Sequence, residues 1–327
     1  MKKLLIALML LASLTVLAGC QSPKQETKDI TVVLDWVPNT NHTGLYAALE
    51  EGFFTEENLN VTIIQPTEGG SADLIAAGQG DFGISYQEQV TYARTAEEPL
   101  PVKAIAAILQ HNTSGFASPK DKNIVAPKDF EGKKYGGWNS PMEEAILKGT
   151  MEKAGADFSK LEMVSVGAID YFTAVTEHVD FTWIYYGWDG VAAELKDFPI
   201  NFMLLQDLDP ALDSYTPVIV ASEDTLSNDP ALAKRFLRAV TKGYEFAIEK
   251  PEEAVEHLLK HAPEVDREIA TASQQYLAKE YKRGVDRFGE MALDKWVTYA
   301  KWMSDMGLIP TELDAKEAFT NEFLPEK

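Results

Sequence analysis

Short β-branched runs alternate with helical stretches from Ile30 onward, and this alternation limits the folds open to the chain. Ile30 to Leu34 (ITVVL) is a β-branched run fit for a buried parallel strand. Thr43 to Glu51 then carries an apolar helical face in Leu45, Tyr46, Ala48 and Leu49, and Gly52 closes it. Val61 to Ile64, Phe82 to Ile84 and Val102 to Ile108 read as further strands. The intervening helices start at Ser71 and Gln87. A β-α-β-α-β order predicts an α/β lobe built on a parallel sheet covered on both faces.

The pattern restarts after His111. Strands are expected at 134–137, 164–166, 181–185, 202–205 and 218–221, with a helix from Pro141 and mostly helical structure after Asp229. About 300 residues of body exceed what one core organises, so two lobes are expected. The order of elements suggests a first lobe over 29–112 plus 217–327 and an inserted second lobe over 113–216. Two crossovers, near His111 to Gly115 and Tyr215 to Val218, then form a two-segment hinge.

The N-terminus sets the expected compartment. Lys2 and Lys3 precede an apolar stretch over 4–17, too short to span a bilayer comfortably, which ends in Leu17-Ala18-Gly19-Cys20. This pattern reads as a lipoprotein signal over 1–19, with the lipid on Cys20 and a polar tether over 20–28. The expected location is therefore extracytoplasmic, anchored to a bacterial cell membrane. Cys20 is the sole cysteine, so disulfides and thiolate metal sites are not available. Acids outnumber bases 51 to 30, which argues against nucleic acid as a partner. Of the 5 histidines only His257 and His261 stand four apart, and two ligands on an acidic helix make no convincing metal site. No nucleotide-binding or serine-hydrolase motif is present. Neither a cofactor nor a metal is expected, and the body is expected to be a monomer.

Ligands of open parallel sheets sit beyond the carboxyl ends of the strands, where helix N-termini also point. That rule selects Asp35, Trp36, Asn39 and His42 after the first strand, and Tyr86, Gln87 and Glu88 after the third. In the second lobe it selects Trp138 and Glu143, then Trp183, Tyr185, Tyr186, Trp188 and Asp189. Four of the 6 tryptophans fall in these segments; Trp296 and Trp302, on the last long helix, read as packing residues. Any one of the four could equally pack in a core, but as a set they offer faces on which a flat ligand can stack. No Lys or Arg occurs between Lys28 and Arg94 or between Lys160 and Lys196. Anionic ligands usually meet Arg or Lys, so a neutral or cationic heterocycle is favoured. A carboxylate among Asp35, Glu88, Glu143 and Asp189 could take the amine and ring nitrogen of an aminopyrimidine together, as a charge-assisted pair if the ring is protonated. Each acid singly also suits a solvated helix N-terminus. His42, where the first helix starts, is open to catalytic, ligand-binding and structural roles; the positive end of the helix favours its neutral form.

LDWVPNTNHTGLY (Leu34 to Tyr46), PTEGGSADLIAAGQGDFGISYQEQ (Pro66 to Gln89), YGGWNSPMEEAILK (Tyr135 to Lys148) and DFTWIYYGWDG (Asp180 to Gly190) resemble the bacterial thiamine-precursor binding lipoproteins and their fungal pyrimidine-synthase relatives. The resemblance spans essentially the whole mature chain. It implies a two-lobed periplasmic-binding-protein fold, type II-like, with the cleft between the lobes. It further implies a solute-binding protein that takes a 4-amino-2-methylpyrimidine such as formylaminopyrimidine for thiamine salvage and hands it to an ABC permease. Hydroxymethylpyrimidine, riboflavin or a sulfonate are the alternative cargoes. In the fungal enzymes the histidine matching His42 is consumed as a source of atoms, together with a cysteine-rich iron motif. This chain has no such motif, so the resemblance implies a binder rather than an enzyme.

Overall fold

The computed structural model describes residues 26–66 and 70–326. The signal, Cys20 and most of the tether lie outside the described residues. Two five-stranded sheets organise the molecule. The first, in the order β2-β1-β3-β10-β4, is built from β1 (Lys28–Val33), β2 (Leu59–Ile64), β3 (Phe82–Ser85), β4 (Val102–Ala107) and β10 (Val218–Ser222). The second, β7-β6-β8-β5-β9, is built from β5 (Ser114–Pro119), β6 (Lys134–Gly137), β7 (Glu162–Ser165), β8 (Phe181–Tyr185) and β9 (Ile200–Leu204).

The wholly parallel sheet expected from the sequence is corrected to a mixed one. β1 pairs in parallel with β2 and β3, but β10 lies between β3 and β4 and is antiparallel to both. The reason is the route of the chain. β10 re-enters the first sheet from the crossover, at the end where β3 and β4 finish, and must run back against them. β5, arriving by the other crossover, is likewise antiparallel to β8 and β9.

The principal helices are α1 (Thr43–Glu50), α2 (Ser71–Ala76), α3 (Gln87–Thr95), α4 (Pro141–Lys153), α5 (Pro230–Glu249), α6 (Pro251–His261), α7 (Arg267–Leu277) and α8 (Leu293–Asp305). No helix among the described residues is long and apolar enough to cross a membrane. α5 packs on α1 over one face of the first sheet, where Phe236 stacks on Phe82 with centroids 3.9 Å apart. Phe116, Phe130, Tyr135 and Phe181 fill the core of the second sheet. α8 joins the two cores. Its Trp296 is fully buried against Phe319 on the first-sheet side, whereas Tyr299, Met303 and the partly buried Trp302 pack into the second-sheet core.

The crossovers are tied to one another and to α8. Asp213 accepts from Asn112 N at 3.0 Å and lies 2.7 Å from His111 Nδ1, and the Lys295 ammonium reaches it at 2.8 Å. Burial raises the Asp213 carboxyl, but the bonds from His111 and Lys295 outweigh it and leave the group below the usual range.

Candidate functional site

β1, β3, β6 and β8 end at the gap between the sheets, and the residues after them supply its walls. After β1, Asn39 caps a short 3-10 turn, its side chain accepting from Asn41 N at 2.9 Å. This turn fixes His42. Its Nδ1 accepts from Asn39 N at 3.2 Å, so Nε2 carries the proton and donates to Asp35 Oδ1 at 2.6 Å. Tyr86 OH donates to Asp35 Oδ2 at 2.6 Å. Burial works to raise the Asp35 carboxyl, yet His42 and Tyr86 hold it below its ordinary value. The Tyr86 phenol is driven far up, by burial and then by Asp35, and stays protonated. With its hydrogen committed to Asp35, Tyr86 oxygen is left as an acceptor at the cleft. His42→Ala removes one of the two donors to a buried carboxylate, and stability should fall by about 2–3 kcal/mol. Denaturant unfolding checks this; a loss under 0.5 kcal/mol on the scale of a neutral surface change would contradict it.

The opposite wall rests on Glu143. Ser140 and Glu143 form a reciprocal capping box at the start of α4: Glu143 N donates to Ser140 Oγ at 3.2 Å, and Ser140 N donates to Glu143 Oε2 at 2.8 Å. The same carboxylate accepts from Tyr135 OH at 2.9 Å and Trp138 N at 3.0 Å. Its lone pairs are occupied by the protein, so its work is to hold the Trp138 backbone. Gly137 must remain bare for this, since a Cβ there would stand 2.2 Å from Glu143 Oε1.

Glu88 is the contrast. At the start of α3 it faces the same space, and its carboxylate has no hydrogen-bond partner among the described residues. Burial, then the nearby Glu143, push it up to about 7. Trp183 Nε1 is also buried without a partner among the described residues.

The gap holds two adjoining compartments, termed inner for the one beside the crossovers and α8 and outer for the other. The inner, of about 310 Å³, is lined by Glu88, Asn112, Glu143, Trp183 and Tyr299 among others. The outer, of about 710 Å³, is lined by Asp35, Trp36, Asn39, Trp188 and Asp189 among others. Tyr86, Trp138, Tyr185 and Thr216 line both. Trp36 and Trp138 are 57% and 61% exposed and Tyr185 44%, so these rings stand free in the gap. Among the described residues no lysine, arginine or histidine lines either compartment.

The structure thus brings Asp35, Trp36, Asn39, Tyr86, Trp138, Glu143, Trp183, Tyr185 and Trp188 to one cleft. It does not bring His42, Gln87 or Tyr186 to the lining. His42 is wholly buried behind Asp35. Gln87 braces the return crossover, accepting from Tyr215 N at 2.8 Å. Tyr186 opens a π-helical turn over Tyr186–Gly190, packs at 4.9 Å from Phe202 and bonds Glu194; Trp188 and Asp189 of the same turn reach the cleft. Asn112, Thr216 and Tyr299 were not legible as lining residues, because they come from the crossovers and α8, far away in sequence. His257 and His261 pair with Glu51 at 2.8 Å and Glu50 at 2.6 Å, and no group of three metal-ligating side chains occurs among the described residues.

Two sheets joined by two crossovers, with a ring-lined cleft between them, define a two-lobed periplasmic-binding-protein fold. The aliphatic sulphonate binding protein SsuA of Escherichia coli shares it with a TM-score of 0.68 over 94% of this chain and 95% of that one, at 13% identity. The chain belongs to the NMT1/THI5-like family, whose model matches residues 39–254. It is 28% identical to a formylaminopyrimidine-binding protein of Halalkalibacterium halodurans, over 95% of this chain and 97% of that one. It is 24% identical to a 4-amino-5-hydroxymethyl-2-methylpyrimidine phosphate synthase of Legionella pneumophila, over 91% and 92% of the two chains.

Proposed function

We propose that this protein is an extracytoplasmic solute-binding protein, held to the cell membrane by a lipid on Cys20, that captures an aminopyrimidine of the formylaminopyrimidine type and delivers it to an ABC permease. The observation that carries the reading is Glu88: an unpaired carboxyl facing a cavity walled by aromatic rings and free of bases. An aminopyrimidine presents an N–H donor beside a ring acceptor, and one carboxyl group in its acid form answers both. Tyr86, Trp138, Trp183 and Tyr185 offer faces for the ring. The likeness to a protein named for formylaminopyrimidine binding supports the same ligand class.

A sulfonate fits poorly, since its charge would meet Glu88 and Glu143 and no base. The synthase reading needs a histidine offered to the cleft, whereas His42 is buried and committed to Asp35 and Asn39. Titration of the body lacking residues 1–20 with formylaminopyrimidine is expected to quench tryptophan fluorescence saturably, with one site per chain by calorimetry. Absence of heat and quenching at millimolar ligand would overturn the proposal.

A further inference from the structure

We propose that the outer compartment is a second subsite, which takes a positively charged aromatic ring carried on the same ligand as the pyrimidine; this rests on the reading of the inner compartment given above. Volume raises the question first. The inner compartment, at about 310 Å³, lies at the small end of ligand pockets, enough for one substituted ring. A ligand confined there leaves the outer 710 Å³ unfilled. The two spaces adjoin at Tyr86, Trp138, Tyr185 and Thr216, which line both, so a ligand reaching past these side chains would occupy both.

The chemistry of the outer lining then selects the second group. Its rings, Trp36, Trp138, Tyr185 and Trp188, present faces that attract a flat cation. Its charges are all acidic: Asp35, Asp189, Glu264 and Asp266. Asp35 is taken up by His42 and Tyr86, and Asp266 accepts from the backbone at the start of α7. Asp189 and Glu264, by contrast, have no side-chain hydrogen-bond partner among the described residues. Burial and Asp170 push the Asp189 carboxyl up to about 6, which a cation placed beside it would reverse. A neutral ring gains only stacking here, a cationic ring gains stacking and charge, and a phosphate ester meets acids with no compensating base. The cleft is therefore built to prefer an unphosphorylated two-ring cation over its phosphorylated form.

Calorimetry on the same body tests this with four probes: 4-amino-5-hydroxymethyl-2-methylpyrimidine, thiamine, thiamine monophosphate, and an uncharged analogue carrying phenyl in place of the thiazolium. Thiamine should bind about tenfold or more tightly than the one-ring pyrimidine, the scale of one partly desolvated cation–π contact. The phenyl analogue and the monophosphate should fall below thiamine. In Asp189→Asn the ratio of thiamine to one-ring affinity should shrink severalfold. If the one-ring pyrimidine binds and thiamine gains nothing, or the phenyl analogue matches thiamine, this inference fails while the inner-site reading stands. If neither pyrimidine binds, the inner-site reading fails with it.

Discussion

Glu88→Ala lowers affinity for formylaminopyrimidine about a hundredfold, whereas Glu88→Gln stays within a few-fold of the parent at pH 7 and loses the parent's decline at alkaline pH. The first effect is the loss of a pair of charge-assisted hydrogen bonds in a partly closed cavity, about 2–3 kcal/mol. The second follows from counting protons. In the complex one proton is shared between the Glu88 carboxyl and the ring nitrogen, while the exocyclic amine donates to the other oxygen. The free carboxyl titrates at about 7. Below that value the free protein already carries the proton, and affinity is flat as long as the free ring is unprotonated. Above it the carboxyl is ionised, binding must take up a proton, and affinity falls roughly tenfold per pH unit while the free ring is unprotonated. A glutamine amide offers the same donor and acceptor at every pH, so its profile is flat wherever the free ring is unprotonated. Calorimetry at pH 8 in two buffers of different ionisation heat reads the uptake directly. A value near zero in the parent protein would falsify the shared-proton arrangement.

Gly243→Ala is the largest expected loss of stability, about 3 kcal/mol or more. α5 and α1 approach so closely that a Cβ at Gly243 would stand 2.0 Å from the Gly44 carbonyl oxygen and 2.8 Å from Ala48 Cβ. Backbone cannot step aside as a side chain can, so the helices must separate and open the core around Phe236 and Tyr244. α1 begins directly after His42, so the displacement also reaches the Asp35 brace. Gly149→Ala on α4 is the matched control. Its nearest contact would be Met306 Cε at 3.5 Å, ordinary packing, and the helix should gain about 0.5–1 kcal/mol. Denaturant melts of the two variants should move in opposite directions; a Gly243→Ala protein as stable as its parent would show that the close approach is not required.

The strand ends were readable because the cue is local. A β-branched run such as Ile30 to Leu34 announces a buried strand, and residues just past it must lie at the sheet's carboxyl edge. Trp36, Trp138 and Trp188 follow from that rule, and the stretches without Lys or Arg around Trp36 and Trp188 pointed to a cleft lining without bases. The rule places a residue at the edge but says nothing of its side chain. Gln87 follows Tyr86 directly, yet one lines the cleft and the other is buried against the crossover.

What the sequence determined by itself was the α/β class, two lobes and the aromatic, acid-rich, base-free character of the gap. Each depends on residue type and short-range order. Only the tertiary structure decided that β10 runs backwards, that His42 is locked behind Asp35, and which acids are spent. Glu88 and Glu143 look alike along the chain. Glu143 meets donors from Tyr135, Trp138 and Ser140, and Glu88 meets none among the described residues. Whether a carboxylate is satisfied depends on partners brought to it by the packing of distant elements.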